Sequence, residues 1–431
     1  MEDRTLLDVP GIELDAEMAQ RILDHGNRYS QQTAELAIFI RRYQASFRTY
    51  LLSQDLIHTS LPSTEGFDLA AVDGSSAHEP HGGGTLVAAT AYKSSVNNEV
   101  QRGAAEVILL PNDTELESFL TLLRMHLELS LLAPDKLDAD FLVILDHSFW
   151  GVMQGVSRAL ATYKSQRQRL LQANLDPDVD VTHQAWKKLF QECLGLNGSF
   201  LRMIRNKQVI SLSKKGVSQY IVQLLTGTLL LSDSQAQMFA SVLNDRALLR
   251  HILLPGEYLT PRSLFRTEQA ESSIRTWNRS RFATGFDEAM GDGPDPFEAR
   301  APVFDEYGLP RDDDVELEGR RLYVTYYRPT QRSRVYRIEF HEQMLANKNG
   351  PPNVFGQGER FQRMLAAVRQ SLSPDTMEPL CQVLADIRAK NAVSSAISLL
   401  PERTFYQLRQ LYRDDLEMLD IVDTLTAEER T

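Results

Sequence analysis

The hydrophobic pattern changes period along the chain, and each change predicts a change of secondary structure. Residues 15–58 repeat apolar side chains at helical spacing, which predicts a helical N-terminal arm. From residue 66 onward, short apolar runs bounded by turn residues predict strands. The elements predicted after the arm are strands at 67–74, 85–93 and 105–111, a helix at 114–132, a strand at 140–146, a helix at 149–173, a strand at 208–214 and a helix at 216–231.

The second half of the chain is divided by a segment rich in Gly, Pro and acidic residues, which predicts a long loop. Two alternating segments, RLYVTYYRP and RVYRIEF, predict a hairpin after this loop. Three further segments, 359–372, 375–397 and 401–428, are predicted to be helical. The predicted domains are a helical arm over 1–62, a core over 63–372 with insertions at 176–206 and 284–319, and a C-terminal helical region over 373–431.

The order of the elements in the core predicts the fold class. Three strands come first, followed by a helix, a strand, a helix, a strand and a helix. A three-stranded meander continued by helical crossovers predicts an α/β fold with a ribonuclease H-like mixed sheet. In that layout the first and fourth strands are parallel neighbours. Their carboxyl ends meet at a topological switch point, where open α/β sheets bind ligands.

An aspartate stands at the end of each of these two strands. Asp73 ends the apolar run FDLAAV and precedes Gly74, whereas Asp146 ends DFLVIL and precedes His147 and Ser148. Carboxylate oxygens are hard ligands suited to Mg²⁺ or Mn²⁺, and two adjacent carboxylates repel unless a cation lies between them. The pair predicts a divalent-metal site for phosphoryl chemistry. The alternative is simple turn chemistry, because Asp followed by Gly is common in turns.

A third carboxylate is expected from the helix between the third and fourth strands. Glu117 and Glu128 are the candidates, and both lie at helical spacing from Arg124. Glu117 also fits a capping box with Thr114, and Glu128 also fits an ion pair with Arg124. A helix that begins near Thr114 would place Glu128 about 20 Å along its axis. The spacing therefore leaves the choice open.

Other residues are weaker candidates for binding. Lys214 follows the fifth strand, where it could hold a phosphate as a point charge or be an exposed lysine. His78 and His81 follow Asp73 and fit solvent-exposed positions in a glycine-rich loop better than a metal site. The hairpin carries residues suited to stacking on bases and binding phosphates, although a hairpin with one buried and one wet face explains them better; these residues are Tyr326, Tyr327, Arg328 and Arg332.

Composition limits the class of protein. With 431 residues, 42% hydrophobic and 24% charged, the chain is typical of a globular protein. It has no apolar stretch of membrane-spanning length and no signal peptide, so we expect a cytoplasmic protein without a membrane association. Cys193 and Cys381 lack the spacing of a zinc site and are expected to be buried thiols. A net charge of −12 argues against tight independent binding of DNA.

Several motifs, taken in order, resemble the NurA nuclease family. They are AVDGSS at 71–76, RMHLE at 124–128, VILDHSFWG at 143–151, ISLSKKG at 210–216, NDRALLRHILLPGEY at 244–258 and the late hairpin. The resemblance spans residues 65–370. It implies a ribonuclease H-like DNA nuclease that depends on Mn²⁺ or Mg²⁺, forms a toroidal homodimer and docks onto the hexameric HerA ATPase.

The resemblance also assigns residues. Asp73 and Asp146 match the two strand-end aspartates of the family, and Glu128 matches the acid that follows an arginine by four. The late segment GPPNVFGQGERFQRML departs from the proline- and tyrosine-rich turn of the family, lacks its histidine, and offers Glu359 as the nearest substitute for a fourth ligand.

The function implied is cleavage of DNA at ends together with a HerA-type ATPase, in DNA repair or anti-phage defence. Asp73, Glu128, Asp146 and Lys214 would be catalytic. The alternative is a catalytically degenerate scaffold that binds DNA ends or the ATPase. The early apolar residues Leu6, Leu7 and Pro10 make the N-terminal arm the candidate docking surface.

Overall fold

The structure is a computed structural model. It describes residues 16–62, 65–81, 84–96, 101–111, 116–132, 141–177, 179–194, 199, 203, 208–213, 220–228, 243–264, 322–346, 355–413 and 415–426. The predicted loop at 284–319, part of the insertion at 176–206, Lys214 and the segment with Leu6, Leu7 and Pro10 lie outside these residues.

The predicted elements appear in the predicted order, and the described residues add the helix Asp245–Ile252 and the strands Ile57–Thr59, Glu257–Leu259 and Arg262–Ser263. The strand Ile57–Thr59 lies at the end of the predicted helical arm, so the prediction of a helix through residue 58 was wrong there. The helices are α1 (Ala16–Ser53), α2 (Leu116–Ser130), α3 (Phe149–Gln172), α4 (Val181–Leu194), α5 (Tyr220–Thr228), α6 (Asp245–Ile252), α7 (Glu359–Gln370), α8 (Leu380–Leu411) and α9 (Leu416–Thr426), with a 3-10 turn at Glu342–Leu345. The strands are β1 (Ile57–Thr59), β2 (Asp68–His81), β3 (Gly84–Ser95), β4 (Gln101–Leu110), β5 (Phe141–Leu145), β6 (Val209–Ser213), β7 (Glu257–Leu259), β8 (Arg262–Ser263), β9 (Leu322–Tyr327) and β10 (Tyr336–His341).

The chain divides into two compact units. The first comprises Met1–Leu56 and Val217–Leu254, and the second comprises Ile57–Gly216 and Pro255–Thr431. In the first unit, the side chains of Phe39, Phe47 and Leu51 are buried along one side of α1. The predicted arm 1–62, core 63–372 and C-terminal region 373–431 stay predictions.

The ten strands found in the described residues belong to one mixed sheet in the second unit, with β8 paired to β9 beside the main path β1-β7-β9-β10-β6-β5-β2-β3-β4. The predicted mixed α/β class is therefore confirmed. β2, β3 and β4 form an antiparallel meander. β2 and β5 are parallel neighbours, as are β5 and β6. The hairpin β9–β10 joins the same sheet, because β10 pairs antiparallel with β6.

The sheet carries an apolar core on each face. Val72 and Leu145 face the cluster that includes Phe119 of α2, Val152 of α3 and Trp186 of α4. The opposite face packs against α7 and α8, and its residues are Leu69, Ala71 and Ile144 of the strands with Met364 and Ala385 of these helices. The alternation within each strand explains both clusters, since successive side chains point to opposite faces.

Three other sequence predictions were wrong in detail. The first strand does not end in a turn at Gly74, because β2 continues to His81 and Gly74 pairs with Ala91. As a result, His78 and His81 lie in a strand, and His81 is buried. The described strands of the hairpin have no wet face, since every residue of β10 and all but one residue of β9 are buried.

The third difference concerns the C-terminal helices. The predicted break between 397 and 401 is absent, and α8 runs continuously from Leu380 to Leu411. Pro401 lies within this helix. A proline in a helix interior lacks one backbone donor and favours a kink, and here the helix continues past it. Cys193 and Cys381 are buried as expected, and burial raises the pKa of each thiol to about 12. Among the helices in the described ranges, none combines the length and apolarity needed to cross a membrane.

Candidate active site

The candidate site lies where β5 ends and β2 continues. Val72 of β2 is the register partner of Leu145, the last residue of β5. Asp73 directly follows Val72, and Asp146 directly follows Leu145. Neighbouring strands lie about 4.8 Å apart. Among the described strands, β2 pairs with β3 alone from Asp73 onward, so no described strand lies along its other edge there. The structure therefore brings the two aspartates together at an open sheet edge.

Both aspartates belong to the face of the sheet that packs against α8. By strand alternation, Asp73 lies on the same face as Leu69 and Ala71. The Oδ1 atom of Asp73 accepts a hydrogen bond of 2.8 Å from the N–H of Gly74. The Oδ1 atom of Asp146 accepts a hydrogen bond from the side-chain amide of Gln382, which is fully buried on α8.

Glu128 approaches the same edge from the opposite face. Its side chain is 1% exposed and packs against the backbone of Gly74, where an added Cβ atom would lie only 2.5 Å from the Glu128 Oε1 atom. Gly74 is therefore required for the close approach of the Glu128 carboxylate. The alternative interpretation of the Asp-Gly pair as a turn is wrong, because both residues lie within β2. Glycine commonly marks positions where another group must come near the backbone.

Two basic side chains face this buried carboxylate. The Nε atom of Arg124 lies 3.6 Å from Glu128 Oε1, and the Nε2 atom of His147 lies 3.2 Å from Glu128 Oε2. The negative charge of Glu128 raises the pKa of His147 above its ordinary value, against the opposing effect of desolvation. Glu128 thus contacts the residues that follow both aspartates, Gly74 and His147.

The geometry distinguishes Glu128 from Glu117. Leu110, at the end of β4, lies beside Thr85, and Thr85 pairs with Pro80 near the far end of β2. Helix α2 therefore starts beyond Asp73 and runs back along β2, which brings its last turns over Gly74. Glu117 is exposed in the first turn of α2, about 16 Å from Glu128. The length of α2 between its first turn and Glu128 therefore brings Glu128, and not Glu117, beside Gly74.

The carboxylates of Asp73, Asp146 and Glu128 are ligands of the type that a hard divalent cation prefers, but their side chains do not converge on one point. Within the described ranges, no three His, Cys, Asp or Glu side chains converge to hold a metal ion. The carboxylates approach from two faces: Asp146 binds Gln382, and Glu128 binds Arg124 and His147. Both carboxylate oxygens of Glu128 are buried and have no hydrogen bond of good geometry. Buried polar atoms without hydrogen bonds call for an explanation, and a bound cation would supply one for Glu128.

The remaining predicted residues are less closely tied to this edge. Glu359 is the first residue of α7. The guanidinium carbons of Arg360 and Arg363 lie 5.5 and 4.3 Å from the ring centroid of Phe67. Phe67 precedes Asp73 by six residues, or about 20 Å along a strand. These contacts associate α7 with the start of β2, and Glu359 as a ligand stays a prediction.

The hairpin tyrosines are core residues. Tyr326 is 3% exposed and Tyr327 is fully buried, with its hydroxyl 3.3 Å from Ser60 Oγ. Neither ring is available for stacking on a base. The guanidinium of Arg328 donates to the carbonyl of Gln331 within the hairpin turn.

The sequence analysis missed two groups near the site. One is Gln382, which binds Asp146 and lies in a helix with no distinguishing motif. The other is the pair Arg337 and Glu339 inside β10, where Glu339 Oε2 accepts a 2.6 Å hydrogen bond from the N–H of Phe149. Two charged residues alternating with Tyr336, Ile338 and Phe340 in a strand were a visible signal for a buried ion pair.

Comparison with known proteins gives structural similarity alone. No family model matches the sequence, and no curated protein matches it. Among solved structures, the chain is similar to the NurA nuclease from Sulfolobus solfataricus, at 12% identity and a TM-score of 0.48 over 90% of this chain and 97% of that one. It is also similar to NurA with manganese, at 11% identity and a TM-score of 0.46 over 87% and 97% of the two chains. NurA bound to dAMP and manganese is similar at 12% identity and a TM-score of 0.41, over 83% and 92%.

Proposed function

We propose that this protein is a divalent-metal-dependent DNA nuclease that hydrolyses phosphodiester bonds. One observation carries the proposal. Asp73 and Asp146 directly follow register partners on parallel strands, and buried Glu128 contacts the residue after each aspartate, Gly74 and His147. Three carboxylates at an open sheet edge are suited to phosphodiester chemistry with a hard cation.

Asp73, Asp146 and Glu128 would hold Mn²⁺ or Mg²⁺, which when bound activates water and neutralises charge on the phosphate. The protein supplies the arrangement around these ligands. Gln382 orients the Asp146 carboxylate by donating to it, and Gly74 leaves the space that Glu128 occupies. His147 can hold a proton on its Nε2 atom beside Glu128, at the edge that substrate would reach. Lys214 and Glu359 are retained as candidates for phosphate binding and for a fourth ligand.

The partners follow from the motif resemblance and the charge of the chain. A net charge of −12 is unfavourable for tight binding to DNA alone. We therefore propose that a HerA-type hexameric ATPase delivers DNA ends to a homodimer of this chain, in DNA repair or anti-phage defence. Cleavage of duplex ends should then rise when the ATPase and ATP are added.

One observation favours a second function, a scaffold that binds DNA ends or the ATPase without cleaving. The predicted ligands are each engaged by protein groups, with Asp146 on Gln382 and Glu128 on Arg124 and His147. A scaffold would keep these contacts in the presence of metal. The two functions therefore differ in whether Mn²⁺ changes the protein at all.

The deciding experiment measures cleavage of linear single- and double-stranded DNA with Mn²⁺, Mg²⁺ or EDTA. Asp73→Asn and Asp146→Asn should each lower cleavage by about 10³-fold or more, because each removes a charged ligand. Neither variant should be less stable than the wild type, since the change relieves repulsion between carboxylates. Asp68→Asn is the matched control, because Asp68 is exposed at the start of the same strand.

The nuclease proposal fails if no metal supports cleavage with or without the ATPase, and the scaffold then becomes the better reading. It also fails if either strand-end variant cuts DNA at the wild-type rate.

A further inference from the structure

Strand β10 contains a charged pair in the interior of the sheet. Arg337 and Glu339 are two residues apart and therefore point to the same face, and their side chains are 6% and 0% exposed. The Nη2 atom of Arg337 lies 2.8 Å from Glu339 Oε1. Burying two charges is unfavourable unless they are paired and hydrogen-bonded, so such a pair in an apolar strand calls for a specific reason.

The second oxygen of Glu339 binds outside its own strand. Glu339 is the register partner of Ser211 in β6, and Ser211 is the register partner of Leu145 in β5. From there, Glu339 Oε2 accepts a 2.6 Å hydrogen bond from the backbone N–H of Phe149. Phe149 is the first residue of α3, and its N–H is one of the helix-terminal donors that has no partner within the helix. The carboxylate thus satisfies this donor, and its negative charge interacts favourably with the positive end of the helix dipole.

This hydrogen bond fixes one end of the segment that carries the candidate site. Asp146, His147 and Ser148 are the three residues between the last residue of β5 and Phe149. Leu145 holds the segment at one end by its pairing in the sheet. Glu339 holds the other end, and Ser148 Oγ accepts from the N–H of Gly151 to close the first turn of α3. A three-residue segment held at both ends has little freedom to move its aspartate.

We propose that Glu339 is a positioning residue that tethers the start of α3 and thereby places Asp146 and His147 at the metal-binding edge. The proposal rests on the nuclease function proposed above. Glu339 acts through the backbone of Phe149 and through the segment before it. Arg337 compensates the charge of Glu339, so the pair stabilises the tether without taking part in the chemistry.

Two double variants separate the tether from the stability of the ion pair. Arg337→Met with Glu339→Leu removes both charges and also the acceptor for the Phe149 N–H. Arg337→Met with Glu339→Gln removes both charges but keeps an acceptor oxygen of similar reach. Replacing a buried ion pair by well-packed hydrophobic residues of similar volume is often neutral for stability. The Leu variant should therefore fold. The Gln variant adds one buried amide group, and the two variants are compared for whether residue 339 can accept from the Phe149 N–H.

The first readout is hydrogen exchange of backbone amides in the peptide that covers 146–152. We expect exchange about 10-fold or more faster in the Leu variant than in the Gln variant, with similar thermal midpoints. The second readout is the dissociation constant for Mn²⁺, measured by calorimetry without DNA. The Leu variant should bind Mn²⁺ about 10- to 100-fold more weakly than the Gln variant, the range seen when residues that orient metal ligands are removed.

Each outcome has one meaning. Equal exchange in the two double variants overturns the positioning role of Glu339, whatever the metal affinity. Faster exchange with unchanged Mn²⁺ affinity overturns its link to the metal-binding edge. Absence of Mn²⁺ binding by the wild type contradicts the proposed nuclease function, and the exchange data still decide the tether. If the Leu variant does not fold, Glu339→Asp replaces it, because it keeps the charge beside Arg337 and withdraws the carboxylate from Phe149 by one methylene.

Discussion

Glu128 and Glu339 are both buried carboxylates beside the segment 146–149, yet they are held in different ways. Glu339 has a backbone donor at 2.6 Å and a guanidinium at 2.8 Å, and the side chain of Arg337 is buried as well. Glu128 has partners at 3.6 and 3.2 Å, and the side chains of these partners are 30% and 33% exposed. The first carboxylate is held by buried groups and the second by groups that reach solvent.

This difference shows that burial alone does not distinguish a ligand from an anchor. A carboxylate whose partners are buried and lie at short distances cannot exchange these partners without disrupting the fold. A carboxylate whose partners can rotate into water can bind a cation instead. By this criterion Glu128 is suited to be a ligand, and Glu339 is suited to be a support.

The largest effect expected on stability is that of Glu339→Ala. It would leave the Arg337 guanidinium charged and buried and would remove the acceptor for the Phe149 N–H, so the free energy of unfolding should fall by about 3–5 kcal/mol. Urea unfolding followed by circular dichroism measures the change. A loss below 1 kcal/mol would show that Glu339 is no better anchored than Glu128.

Glu128→Gln should have the opposite profile. Because Arg124 and His147 can each be solvated, the free energy of unfolding should change by less than about 1 kcal/mol. Cleavage of DNA with Mn²⁺ should fall by about 10³-fold, which corresponds to about 4 kcal/mol of transition-state stabilisation. Glu117→Gln, an exposed change at the start of the same helix, is the control and should leave cleavage unchanged. Full activity of Glu128→Gln would remove the ligand role.

Gly74→Ala tests the close approach of Glu128 from the other side of the contact. The added Cβ atom would meet Glu128 Oε1 at 2.5 Å and Arg124 Cγ at 2.8 Å. Overpacking of this kind is expected to lower the free energy of unfolding by about 1–3 kcal/mol and to weaken Mn²⁺ binding. Both quantities are measurable by urea unfolding and calorimetry.

Gly26→Ala is the matched control for that change. Gly26 lies within α1, and an added Cβ atom would meet no atom of the described residues within 4 Å. Alanine in a helix interior is more stable than glycine by about 0.5–1 kcal/mol, so this variant should be slightly stabilised. If both glycine variants behaved alike, the contact between Gly74 and Glu128 would not be the cause.

The smallest effect concerns buried groups that stay neutral. Burial raises the pKa of Cys193 and Cys381 from about 9 to about 12, so folding favours the protonated thiol. Their contribution to stability is complete below pH 9 and is lost as the pH rises from 9 toward 12. At pH 8 iodoacetamide should label neither thiol in the folded protein and both in urea, as mass spectrometry can measure. Labelling of the folded protein would contradict their burial.

The sequence by itself determined the elements and their order. Local hydrophobic periodicity placed the strands and helices of the core and the hairpin, because period-2 and period-3.6 patterns each bury one side of a single element. The order of the elements then predicted the parallel pairing of β2 with β5, which the structure confirms. Asp73 and Asp146 became neighbours in the prediction for that reason alone.

The tertiary structure decided which partner each of these residues has. The close approach of Glu128 to Gly74, the hold of Gln382 on Asp146 and the tether from Glu339 to Phe149 join residues that are far apart in the chain. No local pattern encodes such contacts, because they depend on the path of α2 back along β2 and on the place of β10 in the sheet. Gly74 shows the reason most clearly, since an Asp-Gly pair typical of a turn lies in a continuous strand where a carboxylate needs the space.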